Sequence, residues 1–144
     1  MVEEVILDSS VLVSALVKGD EFRPIALRIM QKIFSGQYRV VTSAIVFVEV
    51  CGSISRRAGV NKAISVENQL IKWEDMDFFV YTNLTEKRRR EAAELAIRLK
   101  LKGMDAIVIQ VAKEKKGALI TFDEEIAEKA KTEVKVLTQN DFRI

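Results

Sequence analysis

The 144 residues carry 23 Lys and Arg against 21 Asp and Glu, a formal net charge of +2, with 49% hydrophobic and 31% charged residues. This excludes a disordered chain, fits one domain over residues 1–144 with a sizeable core, and leaves nucleic-acid contact to local clusters rather than gross charge. A single Cys and no His exclude an intrachain disulfide, a multi-cysteine zinc site, imidazole metal sites and Ser-His-Asp or Cys-His catalysis.

Glu4 to Leu7 is predicted to be the first strand, an apolar run of the kind that is buried on both faces of a parallel sheet. It ends in Asp8, Ser9 and Ser10, any of which can cap a helix beginning near Val11. Lys18-Gly19-Asp20 breaks that helix. Pro24 suits the first turn of the next, where Ile25, Ile29 and Ile33 form an apolar stripe that Gly36 ends. Tyr38 to Val41 is strand two. Propensity favours a strand for Ala44 to Val50; we read a helix instead, capped by Thr42 or Ser43 and running to Gly59. A further helix spans about Lys62 to Trp73, and Asp77 to Tyr81 is strand three. Thr85 caps a long helix that Gly103 ends. Asp105 opens the next, which Gly117 stops. Ala118 to Phe122 is strand four, Asp123 to Lys131 a short helix and Val134 to Leu137 strand five, after which the tail folds back. The alternation gives an α/β fold with a parallel sheet. A flavodoxin-like order puts strand one centrally, with a ligand site at the carboxyl edge.

Four acids stand in apolar settings. Asp8, Asp105 and Asp123 each fall where a helix begins, and capping alone explains such a residue. Glu49 interrupts a strongly apolar run, and its helical neighbours Ile45, Val46, Gly52 and Ser53 include no cation. With strand four beside a central strand one, Asp8 and Asp123 emerge together, and helices starting at Ser43 and Met104 project Glu49 and Asp105 toward them. Carboxylates gathered without cations repel, and their pKa values rise. A hard divalent cation relieves this, and oxygen-only ligation suits Mg²⁺ or Mn²⁺.

These residues carry a resemblance. Leu7-Asp8-Ser9, Thr42-Ser43 with Glu49, Met104-Asp105-Ala106, Ile120-Thr121-Phe122-Asp123, Val136-Leu137-Thr138 and Asp141-Phe142 resemble, in order and spacing, the PIN-domain ribonucleases, and among them the toxins of VapBC toxin–antitoxin pairs. The resemblance implies a three-layer fold with a five-stranded parallel sheet flanked by helices. It implies Asp8, Glu49, Asp105 and Asp123 as catalytic, metal-binding acids, with Thr121 and Ser9 in support. It implies an endoribonuclease that uses Mg²⁺ or Mn²⁺ to hydrolyse RNA phosphodiesters, a VapB-type antitoxin and a homodimer. Family members often carry an aromatic where Ile126 stands, a difference expected to affect packing alone.

Arg56, Arg57 and Lys62, then Lys87 to Arg90, then Lys113, Lys115 and Lys116 are candidate phosphate contacts, or solvated helix faces. Ile45, Phe47, Ile64 and Trp73 are candidates for a partner surface where exposed, and otherwise core. Cys51 reads as a small packing residue. No apolar run reaches the roughly eighteen residues of a membrane span, and MVEEVILDSS is too acidic for a signal peptide, so a cytoplasmic protein is expected. A receiver domain wants an Asp after strand three, where Tyr81-Thr82-Asn83 stands. A haloacid-dehalogenase-type phosphatase wants an acid at Ser10. A non-catalytic scaffold binding RNA or protein, and a housekeeping nuclease without an antitoxin, remain as alternatives.

Overall fold

The computed structural model describes residues 2–143. Five parallel strands, β1 (Glu3–Leu7), β2 (Tyr38–Ser43), β3 (Phe79–Thr82), β4 (Ala118–Ile120) and β5 (Val136–Leu137), form one sheet in the order β3-β2-β1-β4-β5. Strand one is central, with Val5 between Val40 and Ala118 and Leu7 opposite Ile120. Val5, Ile6 and Leu7 are all fully buried, which places cover on both sheet faces and accounts for the unbroken apolar run. The flavodoxin-like order is corrected: β3 lies at the outer edge beside β2, not next to β1.

The helices are α1 (Ser9–Leu16), α2 (Arg23–Phe34), α3 (Ala44–Ala58), α4 (Val60–Asp75), α5 (Glu86–Leu99), α6 (Gly103–Lys115) and α7 (Glu124–Ala130). α3 forms against its β-branched composition. The Ser43 side chain accepts from the Ile45 amide at 3.2 Å, and Val46, Val50 and Ile54 recur at helical spacing on its buried face. A strand would have put Val46, Val48 and Val50 on one face; instead Val48 is 64% exposed. Burial of a helical stripe outweighs intrinsic preference here.

Several boundaries move. α1 begins at Ser9, and Asp8 takes its N-cap position without a side-chain cap bond. β3 starts at Phe79 because Asp77 adopts a positive φ of 65° in the preceding turn. α6 begins at Gly103, so Asp105 lies in its first turn instead of opening it. β4 ends at Ile120 and β5 holds only Val136 and Leu137. The tail folds back as a 3-10 turn over Gln139–Phe142 with a capping box at Thr138. Arg28 donates to the Phe142 carbonyl at 2.9 Å; Ile144 lies outside the described residues.

Candidate metal centre

β1 and β4 are adjacent and parallel, so the chain leaves both at the same edge and delivers Asp8 and the Thr121-Phe122-Asp123 turn side by side. The Asp8 amide extends the ladder, donating to the Ile120 carbonyl at 3.0 Å. Asp8 is buried, with 5% of the residue exposed. Oδ2 accepts from Ser10 Oγ at 2.8 Å and from Thr121 Oγ1 at 2.9 Å. The Thr121 hydroxyl also accepts from the Asp123 amide at 3.1 Å, and Ser10 Oγ accepts from the Phe122 amide at 3.1 Å. Two hydroxyls thus fix both turns to one carboxylate. Below them, Thr42 Oγ1 donates to the Leu7 carbonyl at 3.0 Å and holds the end of β2 to β1.

Glu49 comes from α3, half-buried, with Oε2 accepting from Ser9 Oγ at 3.2 Å. Asp105, also half-buried, comes from the first turn of α6. Asp123 is exposed and caps α7, accepting from the Ile126 amide at 3.0 Å.

The charges of these acids act on one another. Burial raises the Asp8 carboxyl above its usual range, the hydroxyls of Ser10 and Thr121 oppose this, and the charge of Asp123 adds to it. Burial raises Glu49 as well, followed by the charge of Asp8, with that of Asp105 a smaller contribution. Asp105 is raised by burial, then by Asp8 and Asp123. Burial away from solvent is the main cause in all three, and the neighbouring like charges add to it. Among the described residues no three His, Cys, Asp or Glu side chains stand in metal-holding geometry. The carboxylates share a field without closing into a cage, Asp8 being tied back by its hydroxyls and Asp123 by its cap. Their chemistry nonetheless suits a hard cation: the donors are all oxygen, and among the described residues none of the four acids forms an ion pair.

Ser10 and Thr42 carry roles the sequence reading missed. A hydroxyl two residues beyond Asp8 was the available signal for Ser10. Nothing local marks Thr42, whose partner is set by strand pairing. Beside the acids, a cleft of about 400 Å³ opens between Ser9, Ser10 and Asp123 on one side and Ser53 and Arg57 of α3 on the other.

A parallel sheet carrying clustered acids at its carboxyl edge is the arrangement of the PIN domain, and the PIN-domain family model matches residues 5–132. The chain belongs to the PIN-domain family. Its fold is similar to that of VapC20 from Mycobacterium tuberculosis, described as a Sarcin-Ricin loop cleaving toxin, with 19% identity, a TM-score of 0.72, and coverage of 86% of this chain and 93% of that one. It is similar to FitAcB from Neisseria gonorrhoeae, at 15% identity and a TM-score of 0.70 over 94% and 97% of the two chains. It is also similar to VapBC2 from Rickettsia felis bound to a promoter DNA fragment, at 16% identity and a TM-score of 0.67 over 94% and 98%. No curated protein sequence matches it.

Proposed function

We propose that the protein is an endoribonuclease that hydrolyses RNA phosphodiesters at Asp8, Glu49, Asp105 and Asp123 with Mg²⁺ or Mn²⁺, and that it is the toxin of a toxin–antitoxin pair. The chemistry is supported by the mutual charge of Asp8, Glu49, Asp105 and Asp123: three of them are raised in pKa, and among the described residues none of the four forms an ion pair. A bound cation would favour the ionised form of such a cluster. Bound there, a divalent ion supplies charge stabilisation for a phosphoryl group and an activated water.

The chain's own residues do the positioning. Ser10 and Thr121 hold one oxygen of Asp8 and so fix the carboxylate in place. Ser9 does the same for Glu49, so Oε1 is free to hold or take a proton. Asp105 and Asp123 extend the negative field toward solvent, where a substrate backbone arrives. A shallow site of this kind suits single-stranded or looped RNA, whose backbone is accessible.

The partner reading rests on the matched folds, which include VapBC2 of Rickettsia felis and a toxin–antitoxin complex from Klebsiella pneumoniae. A VapB-type antitoxin and a homodimer are proposed accordingly. Of the four apolar partner candidates, Ile64 is 53% exposed, while Ile45, Phe47 and Trp73 pack against the core. Val48, Ile71 and Met76 join Ile64 as exposed apolar residues along and just after α3 and α4. Among the described residues no helix is long and apolar enough to cross a membrane.

The test is cleavage of a mixed-sequence single-stranded RNA by purified protein with Mn²⁺, Mg²⁺ or EDTA, beside Asp8→Asn. Cutting that needs the metal and is lost in Asp8→Asn is expected. Metal-independent cutting, or equal cutting by the variant, contradicts the reading. No cutting at all, together with no Mn²⁺ binding, favours the non-catalytic scaffold.

A further inference from the structure

Among the described residues, five of the ten basic residues in the clusters legible in the sequence form ion pairs within the fold. Arg57 pairs with Asp20 at 3.0 Å, Arg88 with Glu114 at 2.9 Å, Lys113 with Glu133 at 3.2 Å, and Lys115 with Glu114 at 3.6 Å. Arg88 joins α5 to α6, and releasing Arg57 or Lys113 to bind phosphate would take a cation from the half-buried Asp20 or Glu133. Arg56 and Lys102 differ. Both are exposed, and among the described residues neither makes an ion pair.

Each belongs to an element that carries a different acid, Arg56 to α3 with Glu49 and Lys102 to the start of α6 with Asp105. Arg56 lies on the same face of α3 as Glu49, two turns further on. Helical side chains lean toward the N-terminus, and Arg56 does so through the notch left by Gly52: its Nη1 lies 3.4 Å from where a Gly52 Cβ would stand. This lays the guanidinium along α3 toward Glu49, and its positive charge offsets part of the upward shift of that carboxyl. Lys102 is the N-cap residue of α6, three positions before Asp105. Its charge offsets part of the shift of Asp105 and acts on Glu125 of α7 as well. One free cation therefore stands on the α3 side of the carboxylates and one on the α6–α7 side. A polyanion crossing this crevice meets a cation before and after the acidic centre, which would otherwise repel it.

We propose that Arg56 and Lys102 bind the backbone phosphates that flank the scissile bond, so that an RNA strand runs from α3 across the carboxylates to the start of α6. The assignment rests on the ribonuclease reading above, and it deepens that reading by naming the residues that set the path of the strand. Arg56 offers the planar fork that matches a phosphate in two contacts, and Lys102 a point charge.

The test is binding of a fluorescein-labelled mixed-sequence single-stranded RNA to Asp8→Asn protein, followed by anisotropy across a range of NaCl concentrations. Arg56→Ala and Lys102→Ala are added singly and together. Lys32→Ala serves as the charge-matched control, because Lys32 lies at the opposite edge of the sheet, where its side chain meets Gln37 and Tyr38. Each single substitution is expected to weaken binding about fivefold and to lower the slope of log affinity against log salt by about 0.7, the value for one phosphate contact on a single strand. The double substitution is expected to lower the slope by about 1.4, and Arg56→Lys to restore it. In the cleaving protein, KM is expected to rise while kcat holds. An unchanged slope in both single variants, or an equal loss in Lys32→Ala, overturns the assignment while the ribonuclease reading stands. Absence of RNA binding by both the unsubstituted and the Asp8→Asn protein overturns that reading and this assignment together.

Discussion

Thr121 donates its hydroxyl to Asp8 and accepts the Asp123 amide on the same oxygen, so one atom sets the spacing of two acids. Thr121→Val keeps the shape, takes one of two hydroxyl donors from the buried Asp8 oxygen and leaves the Asp123 amide without its side-chain partner. A loss of about 1–3 kcal/mol is expected, read as a lower midpoint in urea denaturation, with cleavage reduced further than stability alone explains. The raised carboxyls of Asp8, Glu49 and Asp105 have a consequence in pH. At pH values between their ordinary and raised ranges, the folded chain holds protons that the unfolded chain has released. Their effect is therefore absent below the ordinary carboxylate range, and stability falls as pH rises through the raised values. In EDTA, Asp8→Asn is expected to raise the melting temperature at about pH 8 and to give no gain at about pH 4. A variant that melts lower at the alkaline pH contradicts the account of a buried, raised Asp8 carboxyl.

At the scale of elements, α3 was legible because Ser43, the stripe of Val46, Val50 and Ile54, and Gly59 agree, even though propensity pointed to a strand. The start of α6 was not, because Lys102 makes no side-chain cap bond and nothing local marks Gly103 as the first residue. Asp8 and Asp105 both looked like caps, and neither side chain makes a cap bond; Asp123 does. A helix-start acid therefore does not declare from sequence whether it caps or faces a ligand. α5 and α6 are clasped by Arg88, which bonds both oxygens of Glu114 at 3.0 and 2.9 Å, and by Gln110, which donates to Glu91 and Glu114. The guanidinium holds the Glu114 carboxyl down at about 2. That pair contributes above the ordinary Glu range and is lost as pH falls toward 2. Glu114→Gln is expected to lower the melting temperature at neutral pH, with the deficit vanishing at the acid end. Where α6 hands over to β4, a Cβ on Gly117 would lie 2.7 Å from Ile6 Cδ1 and 2.9 Å from the Glu4 carbonyl oxygen. Gly117→Ala therefore has to push β1 and β4 apart, and a loss of about 1–3 kcal/mol is expected in chemical denaturation.

Over the whole molecule, strand count, parallel direction and the central place of β1 followed from the alternation of apolar runs and helical stripes. The place of β3 at the sheet edge did not, since both orders bury β1 and both keep Asp8 at a carboxyl edge. What the site required of the fold was narrower: β1 beside β4, and α3 and α6 beginning at the same edge. Those neighbours make residues as far apart in sequence as Asp8 and Asp123 act on one another. The exposed apolar residues Val48, Ile64, Ile71 and Met76 belong to this scale as well. If they bury against a second copy, light scattering on the eluting protein gives twice the chain mass of 16.3 kDa, and Ile64→Asp returns it to the monomer value. A monomer for the unsubstituted protein contradicts the homodimer.

The central claim is that four carboxylates from the β1 and β4 ends and from α3 and α6 together hold a divalent cation. Calorimetric titration of Mn²⁺ into the metal-free protein near neutral pH tests it most directly, beside Asp8→Asn and Asp105→Asn. Saturable binding with proton release, weakened at least tenfold in each variant, is the expected result. Binding that both variants retain at full strength, or none in the unsubstituted protein, contradicts it.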